Sequence, residues 1–231
     1  RSSDLDSVRA EAIFEQMAAD PNHIVIVAEI GGKIVGAVTL FIEQKFIHSG
    51  GRVGHVEDLS VAKDSQGRGV ANRMMTYLLE EAGRNNCYKT ILDCPDNIIP
   101  IHTRTGFKIK NICLMRFDHD SNGQIQTGST KIRGLQKADL QNGFLAALDV
   151  LRPACDMDPA KAEAIFDRIN SDPSYVVAVA DLGGKVVGAA TLIVEQKFIH
   201  HGGKAGHIED VVVAKGFQGR GIGIMLVRHL L

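Results

Sequence analysis

One stretch of sequence occurs twice in this chain, and this repeat constrains the fold more than any other feature. The segment EAIFEQMAADP, residues 11–21, returns as EAIFDRINSDP, residues 163–173. The same offset of 152 residues carries GHVEDLSVAK (54–63) onto GHIEDVVVAK (206–215), with no insertion between them. About half of the aligned positions, 1–79 against 153–231, are identical. The chain of 231 residues therefore predicts two copies of one folded unit.

The two copies are cut at different ends. Residues 131–151, which precede the second copy, have no counterpart before the first, and residues 80–118 have no counterpart after Leu231. We therefore expect a first copy at residues 1–118 that lacks its first strand and the start of its first helical region. The second copy, at residues 130–231, would lack its C-terminal part. Residues 119–129 (HDSNGQIQTGS) are polar and without periodicity, which predicts a linker.

The amino-acid composition limits the classes of partner that such a chain can bind. The 26 basic and 27 acidic residues give a net charge of -1, with no excess of positive charge for nucleic acid or acidic lipid. Apolar runs are much shorter than the roughly 20 residues of a membrane helix, and the first residues show no signal-peptide pattern. The four cysteines form no metal-binding pair and predict free thiols. We expect a cytoplasmic protein.

Helices and strands alternate in the predicted elements of the first copy. An apolar face predicts a helix ending near Ala19, and its counterpart in the second copy starts at Asp158-Pro159, a cap followed by a favourable first residue. Two β-rich runs meet at Gly31-Gly32, which indicates a hairpin. Further strands are predicted over 54–61, 89–93, 107–110 and 112–117, with a helix over 70–81. This order indicates an α/β fold with a mixed, mostly antiparallel sheet flanked by helices.

A glycine-rich junction stands between a strand and a helix in each copy. Its sequence is Gln66-Gly67-Arg68-Gly69-Val70-Ala71 in the first copy and Gln218-Gly219-Arg220-Gly221-Ile222-Gly223 in the second. Such a junction offers backbone N–H groups and the positive end of a helix dipole to an anion. It matches neither the GxxxxGK[ST] nor the GxGxxG pattern of nucleotide-binding loops. A tight turn without a ligand is the alternative.

Paired acidic residues interrupt an apolar strand in each copy, at Glu57-Asp58 and at Glu209-Asp210. Neighbours on a strand point to opposite faces unless a bulge intervenes. One carboxylate of each pair would therefore act on a substrate while the other braces the fold. Pairing of both carboxylates within the fold is the alternative.

Basic residues surround the hairpin of each copy. They are Lys45, His48 and His55 in the first copy and Lys197, His200, His201 and His207 in the second. Two histidines seven residues apart, without a third ligand nearby, do not indicate a metal site. We expect instead a basic edge that binds an anionic substrate.

Four motifs, EQKFIH, GHVEDLSVAK, QGRGVA and NCYKTILDC, together resemble the glucosamine-6-phosphate N-acetyltransferase family of the GNAT superfamily. Gln66, Gly69 and Ala71 match the superfamily's Q/R-x-x-G-x-G/A motif, as do Gln218, Gly221 and Gly223. The resemblance covers all of the chain except the linker. It implies two copies of the GNAT fold paired as an internal pseudo-dimer, with a homodimer left open, and acetyl-CoA as co-substrate without a metal.

The resemblance also implies roles for individual residues. The amides of the glycine-rich junction would hold the pyrophosphate of acetyl-CoA, and strand backbone would bind its pantetheine at Leu59, Ser60, Val61, Val211, Val212 and Val213. The 2-amine of glucosamine 6-phosphate would attack the thioester directly, oriented by Glu57, Asp58 and Asp93 in the first copy and by Glu209 and Asp210 in the second. The sugar phosphate would meet Lys45, His48, Lys197, His200 and Arg116, the last matching an Arg that reaches a neighbouring subunit.

One position departs from the family. A tyrosine that protonates the leaving thiolate is replaced by His102, close to Pro100, and the second copy lacks counterparts of Asp93 and His102. The leading interpretation is an enzyme that makes N-acetylglucosamine 6-phosphate for amino-sugar nucleotide synthesis. The alternatives are that one copy, foremost the first, is a non-catalytic acyl-CoA-binding or dimerisation module, and that the acceptor is another amine.

Overall fold

The computed structural model describes residues 7–110 and 130–231, and these divide into two units. The N-terminal unit holds Ser7–Glu43 and residues 52–110, and the C-terminal unit holds Gln44–Gly51 and residues 130–231. We call Gln44–Gly51 the arm. Arg116 and the strand expected over residues 112–117 lie outside the described residues. The copy boundaries expected from the repeat stay a prediction.

The N-terminal unit is built on a four-stranded sheet with the strand order β1-β2-β3-β4. Strands β1 and β2 form the antiparallel hairpin predicted at Gly31-Gly32, and β3 and β4 run parallel. Its elements, in chain order, are α1 (Ser7–Ala19), β1 (His23–Ile30), β2 (Lys33–Gln44), β3 (Arg52–Val61), α2 (Val70–Arg84), β4 (Cys87–Leu92) and α3 (Ile99–Arg104).

Helix α2 covers the apolar face of this sheet. Val70, Met74, Leu78 and Ala82 follow one another at intervals of four and are all buried, as the periodicity predicts. They pack with side chains of β2, among them Leu40, in one apolar core. Burial of this stripe holds the helix on the sheet and so fixes the position of the junction that precedes it.

The C-terminal unit has a second four-stranded sheet, with the order β5-β6-β7-β8 and antiparallel pairing throughout. Its elements are β5 (Lys131–Gly134), α4 (Phe144–Leu148), α5 (Pro159–Ser171), β6 (Tyr175–Leu182), β7 (Lys185–Gln196), β8 (Lys204–Val213) and α6 (Ile222–Leu230). The carboxylate of Asp158 accepts a hydrogen bond from the N–H of Lys161 at 3.0 Å, so the predicted cap of α5 is confirmed. Ile222 and Leu226 of α6 are buried against this sheet.

The α/β fold with a mixed sheet is confirmed, but one expectation is corrected. The strand predicted over residues 107–110 is wrong, because this segment is irregular. The N–H of Phe107 instead donates to the carbonyl of His102 at 3.2 Å and closes the end of α3. Strand β5 lies within residues 131–151, the segment for which the first copy has no counterpart. None of the helices in the described part of the chain is long and apolar enough to cross a membrane.

Candidate active site

The glycine-rich junction of the N-terminal unit leads directly into α2. Gly67 and Gly69 both have a φ of +74°, and Gly69 is the residue that caps the helix. A Cβ at either glycine would meet no atom within 4 Å, so the left-handed backbone, and not crowding, requires glycine here. No side chain caps the first turn of α2. The junction is therefore an exposed loop that presents helix N–H groups to solvent.

The junction of the C-terminal unit repeats this geometry before α6. Gly219 and Gly221 have φ values of +75° and +76°, and the helix again begins without a side-chain cap. In each loop the glutamine amide donates 3.0 Å to a strand carbonyl, from Gln66 to Val61 and from Gln218 to Val213. The same local sequence thus adopts the same conformation in both units.

The remaining positions of each junction have different environments. Val70 and Ile222 are buried as the first helical residues, and Ala71 and Gly223 follow them on the first turn. The Arg220 guanidinium lies 5.2 Å from the centre of the Phe217 ring and donates to the carbonyl of Gly216 at 3.1 Å. Arg68 is exposed at the tip of its loop.

Strand β3 parts from β4 just before the junction. The parallel pairing runs from Arg52–Cys87 to Val56–Leu92 and, within the described residues, goes no further. Residues 57–61 continue β3 beyond that point, so Leu59, Ser60 and Val61 have no β4 partner. Among the described residues β8 is the last strand of the C-terminal sheet, so the expected backbone, Val211, Val212 and Val213, also lies along a sheet edge. Such an edge can hydrogen-bond an extended amide chain.

The acidic pairs lie where the backbone is irregular. Asp58 and Asp210 have φ values of +54° and +52°, in the left-handed region. In the C-terminal unit Thr191 faces Glu209 whereas Ala189 faces Val212, so two residues of β8 stand opposite one of β7. This is a β-bulge, and it removes the alternation that would send neighbouring carboxylates to opposite faces.

Lys45 shows the result of the bulge. This arm lysine is 2% exposed, and its Nζ lies 2.9 Å from Oε2 of Glu209 and 3.2 Å from Oδ1 of Asp210. Both carboxylates therefore turn to the same ammonium. The expected division, with one carboxylate acting on a substrate and the other bracing the fold, stays a prediction for this pair.

The two lysines of the expected basic edge are buried. Lys197 Nζ lies 2.9 Å from Oε2 of Glu195, so both lysines are paired with carboxylates inside the fold and are not exposed. His48 is exposed on the arm with a φ of +52°, and the side chain of His200 lies outside the described residues. Contact of these residues with a substrate stays a prediction.

A buried glutamate and histidine pair was missed by sequence reasoning. His55 Nε2 lies 3.1 Å from Oε2 of Glu43 in the N-terminal unit, and His207 Nε2 lies 2.9 Å from Oε2 of Glu195 in the C-terminal unit. Burial would raise the pKa of Glu195, but hydrogen bonds from His207 and Lys197 outweigh it and lower that pKa. The signal was present in the sequence, because both residues recur unchanged at the offset of 152.

Asp93 and His102 follow β4 in the N-terminal unit. Val56 and Leu92 are the last paired residues of the parallel strands β3 and β4. Glu57 and Asp93 follow directly after this pair on the two adjacent strands. His102 on α3 is buried, at 6% exposure, with its ring edge-on to Phe107. Burial lowers the pKa of His102, so its ring is neutral at neutral pH.

Comparison with known proteins shows to which family the chain belongs. The model of the acetyltransferase (GNAT) family matches residues 2–107 and, a second time, residues 140–231. The chain belongs to the GNAT family. Its two matches fall on the two copies of the repeat, and the GNAT fold expected from the junction motif is confirmed.

Relatives of this GNAT chain carry a common name. Glucosamine 6-phosphate N-acetyltransferase 1 of Oryza sativa subsp. japonica is 39% identical over 104 residues, which are 44% of this chain and 63% of the relative. Glucosamine 6-phosphate N-acetyltransferase of Candida albicans is 40% identical over 86 residues, or 37% of this chain and 58% of the relative. The chain thus spans about 60% of the length of these two relatives.

A solved structure gives a similar match. The crystal structure of glucosamine-6-phosphate N-acetyltransferase from Arabidopsis thaliana is 25% identical, with a TM-score of 0.49, over 51% of this chain and 82% of that one. The resemblance to this family that the motifs indicated is confirmed by these relatives.

Proposed function

We propose that this GNAT chain transfers the acetyl group of acetyl-CoA to the 2-amine of glucosamine 6-phosphate and so makes N-acetylglucosamine 6-phosphate. The observation that carries the proposal is the glycine-rich junction, which has the same left-handed glycines and the same uncapped helix start in both units. The names of the relatives support the choice of acceptor.

The junction suits the pyrophosphate of acetyl-CoA. Uncapped N–H groups and the positive end of the helix dipole attract a phosphate, and the glycines leave room for it to approach the backbone. The part of β3 that has no β4 partner in the described residues, 57–61, lies immediately before the junction and suits the amide groups of pantetheine. No metal enters this proposal.

The reaction needs one proton removed and one supplied. The amine lone pair attacks the carbonyl carbon of the thioester, a C–N bond forms, and the C–S bond breaks as the thiolate leaves. Glu57 and Asp93 would orient the amine and take its proton through water, and strand N–H groups would stabilise the oxyanion. The thiolate then takes up a proton. A neutral His102 could donate only its ring N–H proton, which would leave an unfavourable imidazolate anion. Solvent is therefore the better proton donor.

Substitution of the helix-capping glycines tests the proposal. Gly69→Asp and Gly221→Asp place a carboxylate where the pyrophosphate would bind, and aspartate tolerates both a left-handed φ and a cap position. We expect the unsubstituted protein to release coenzyme A thiol with glucosamine 6-phosphate, and the double variant to lose this activity. Gly31→Asp, at a hairpin glycine with a φ of +58° and open space around it, is the matched control.

The single variants separate the alternatives. If Gly69→Asp leaves turnover intact while Gly221→Asp abolishes it, the first copy is a non-catalytic module. Release of thiol with other amines but not with glucosamine 6-phosphate would mean that the acceptor is another amine. Absence of thiol release from the unsubstituted protein with any amine would contradict the proposed activity.

A further inference from the structure

Residues 131–151 cover one edge of the C-terminal sheet, and we call them the cover segment. Its strand β5 pairs antiparallel with β6 over its whole length, and just beyond β5 the N–H of Leu135 donates to the carbonyl of Val177 at 2.9 Å. The turn before α4 then reaches the start of β7, where the N–H of Val186 donates to the carbonyl of Asn142 at 3.1 Å. The cover segment is thus bound to two neighbouring strands through backbone hydrogen bonds.

Three apolar side chains of the C-terminal unit lie where the cover segment makes its contacts. Val179 stands opposite Arg133 of β5 in the strand ladder, and Val186 accepts the contact of the turn before α4. The third, Phe166 on α5, has Nζ of Lys137 at 5.8 Å from the centre of its ring. Val179, Val186 and Phe166 are only 0%, 1% and 8% exposed.

The corresponding side chains of the N-terminal unit are exposed. At the offset of 152 residues they are Val27, Ile34 and Phe14, which are 50%, 61% and 57% exposed. Among the described strands β1, which carries Val27, has β2 as its one neighbour, so its other edge offers backbone hydrogen bonds. We call these three residues, together with the exposed Glu29 of β1, the open face. A sheet edge beside exposed apolar side chains is the form of surface that binds an extended peptide.

A carboxylate occupies the same place on β1 and on β6. In the C-terminal unit the guanidinium of Arg133 lies 2.9 Å from Oδ2 of Asp181 on the neighbouring strand, and 2.7 Å from Oδ2 of Asp139 within the cover segment. The repeat counterpart of Asp181 is Glu29, and both strands have a register shift immediately before this carboxylate. A strand that paired with β1 in the register of β5 would therefore bring an arginine to Glu29.

We propose that the open face binds a segment of another polypeptide that has the chemistry of the cover segment, namely a short extended strand with an arginine followed by a short apolar helix. The strand would add to the open edge of β1 with its arginine at Glu29, and the helix would cover Ile34. A second copy of this chain fits less well, because its own cover segment is already paired with β6. The proposal uses none of the residues assigned to acetyl transfer and does not depend on the proposed function.

The test titrates the full chain into a fluorescently labelled synthetic peptide of residues 130–151 and follows the fluorescence anisotropy. We expect saturable binding, and a loss of affinity of about 10-fold or more in Val27→Lys, which places a charge where the added strand would bury valine. Ile109→Lys, at a residue of the same unit that is 75% exposed, is the matched control and should leave the affinity unchanged.

A charge reversal tests the expected register. Glu29→Arg should weaken binding of the peptide several-fold, because two guanidinium groups would then face each other. A peptide that carries Arg133→Glu should bind the Glu29→Arg variant better than it binds the unsubstituted chain. If Val27→Lys does not fold, as judged by circular dichroism, this reversal at an exposed residue decides the question by itself.

Three outcomes would overturn the proposal. The first is absence of binding up to about 1 mM chain. The second is binding that Val27→Lys and Glu29→Arg both leave unchanged, because the peptide would then be exchanging with the cover segment in the C-terminal unit. The third is self-association of the unsubstituted chain in sedimentation that Val27→Lys abolishes, which would mean that a second copy occupies the open face.

Discussion

The hydroxyl of Tyr175 accepts a hydrogen bond from the backbone N–H of Gln44 at 2.7 Å, in a buried position. It joins the start of the arm to the first residue of β6. The repeat counterpart of Tyr175 is His23, so the two copies differ at this position. The second copy thus holds a segment of the first through a side chain that the first copy does not have at the corresponding position.

Removal of this hydroxyl should destabilise the C-terminal unit. Tyr175→Phe keeps the ring but leaves the N–H of Gln44 without that acceptor, and a buried unsatisfied donor costs about 1–3 kcal/mol. Urea unfolding should therefore shift to lower denaturant concentration, and hydrogen exchange over the arm should become faster. Tyr77→Phe, at a residue 48% exposed, is the control and should have little effect. Unchanged exchange in Tyr175→Phe would contradict the anchoring role.

Gly50 lies near the other end of the arm and packs closely against Ile165. It has a φ of +72°, and a Cβ added there would lie 2.5 Å from Cδ1 of Ile165. Gly50→Ala should lower the free energy of unfolding through both the left-handed backbone, about 1–2 kcal/mol, and the overlap with the Ile165 side chain. Gly32→Ala, with a φ of +78° and open space, carries the backbone cost alone.

A second substitution separates these two causes. Ile165→Val removes Cδ1, so it should recover part of the stability lost in Gly50→Ala, as measured by urea unfolding of the single and double variants. Additive losses in the double variant would show that the overlap relaxes without cost.

The sequence predicts those features that depend on local pattern. The repeat identifies the two copies, spacing by four identifies α2, and the Asp158-Pro159 pair identifies the start of α5, because each is set by residues close in the chain. The junction conformation belongs to the same class, since its glycines require nothing from distant elements.

Features that depend on distant contacts were missed. Lys45 follows an apolar strand and would be expected in solvent, but it is buried because Glu209, far along the chain, supplies a partner. Residues 107–110 alternate in polarity as a strand would, but alternation cannot provide a neighbouring strand to pair with. The bulge at Asp210 depends on the register between β7 and β8, which periodicity does not encode.

His102 should titrate below its usual value. Burial disfavours the charged imidazolium and lowers the pKa beneath 6.5, whereas the unfolded chain keeps the ordinary value. Above about pH 6.5 the His102 ring is neutral in both the folded and the unfolded state, so this residue does not reduce the stability there. As pH falls through 6.5 the unfolded state binds a proton that the folded state does not, and stability is lost until the folded pKa is reached.

NMR titration of the His102 ring and thermal unfolding against pH measure this effect. The variant His102→Asn should show a smaller loss of stability between pH 7 and pH 5 than the unsubstituted protein, and the difference isolates His102 from the other histidines. A ring pKa at or above 6.5 would contradict the assignment and would restore the imidazolium as an acid for the leaving thiolate.

Asp210 combines a charge with a strained backbone, and two substitutions separate them. Asp210→Asn and Asp210→Ala both remove the carboxylate from Lys45, but only asparagine adopts a left-handed φ readily. We therefore expect Asp210→Ala to be less stable than Asp210→Asn by about 1 kcal/mol in urea unfolding. If Asp210 orients the amine as the resemblance implies, turnover by the second copy, measured in the Gly69→Asp background, should fall in both variants, because both lack that carboxylate. Equal stability of the two variants would mean that the bulge relaxes when the ion pair is removed, so that Lys45 and the strained conformation depend on each other.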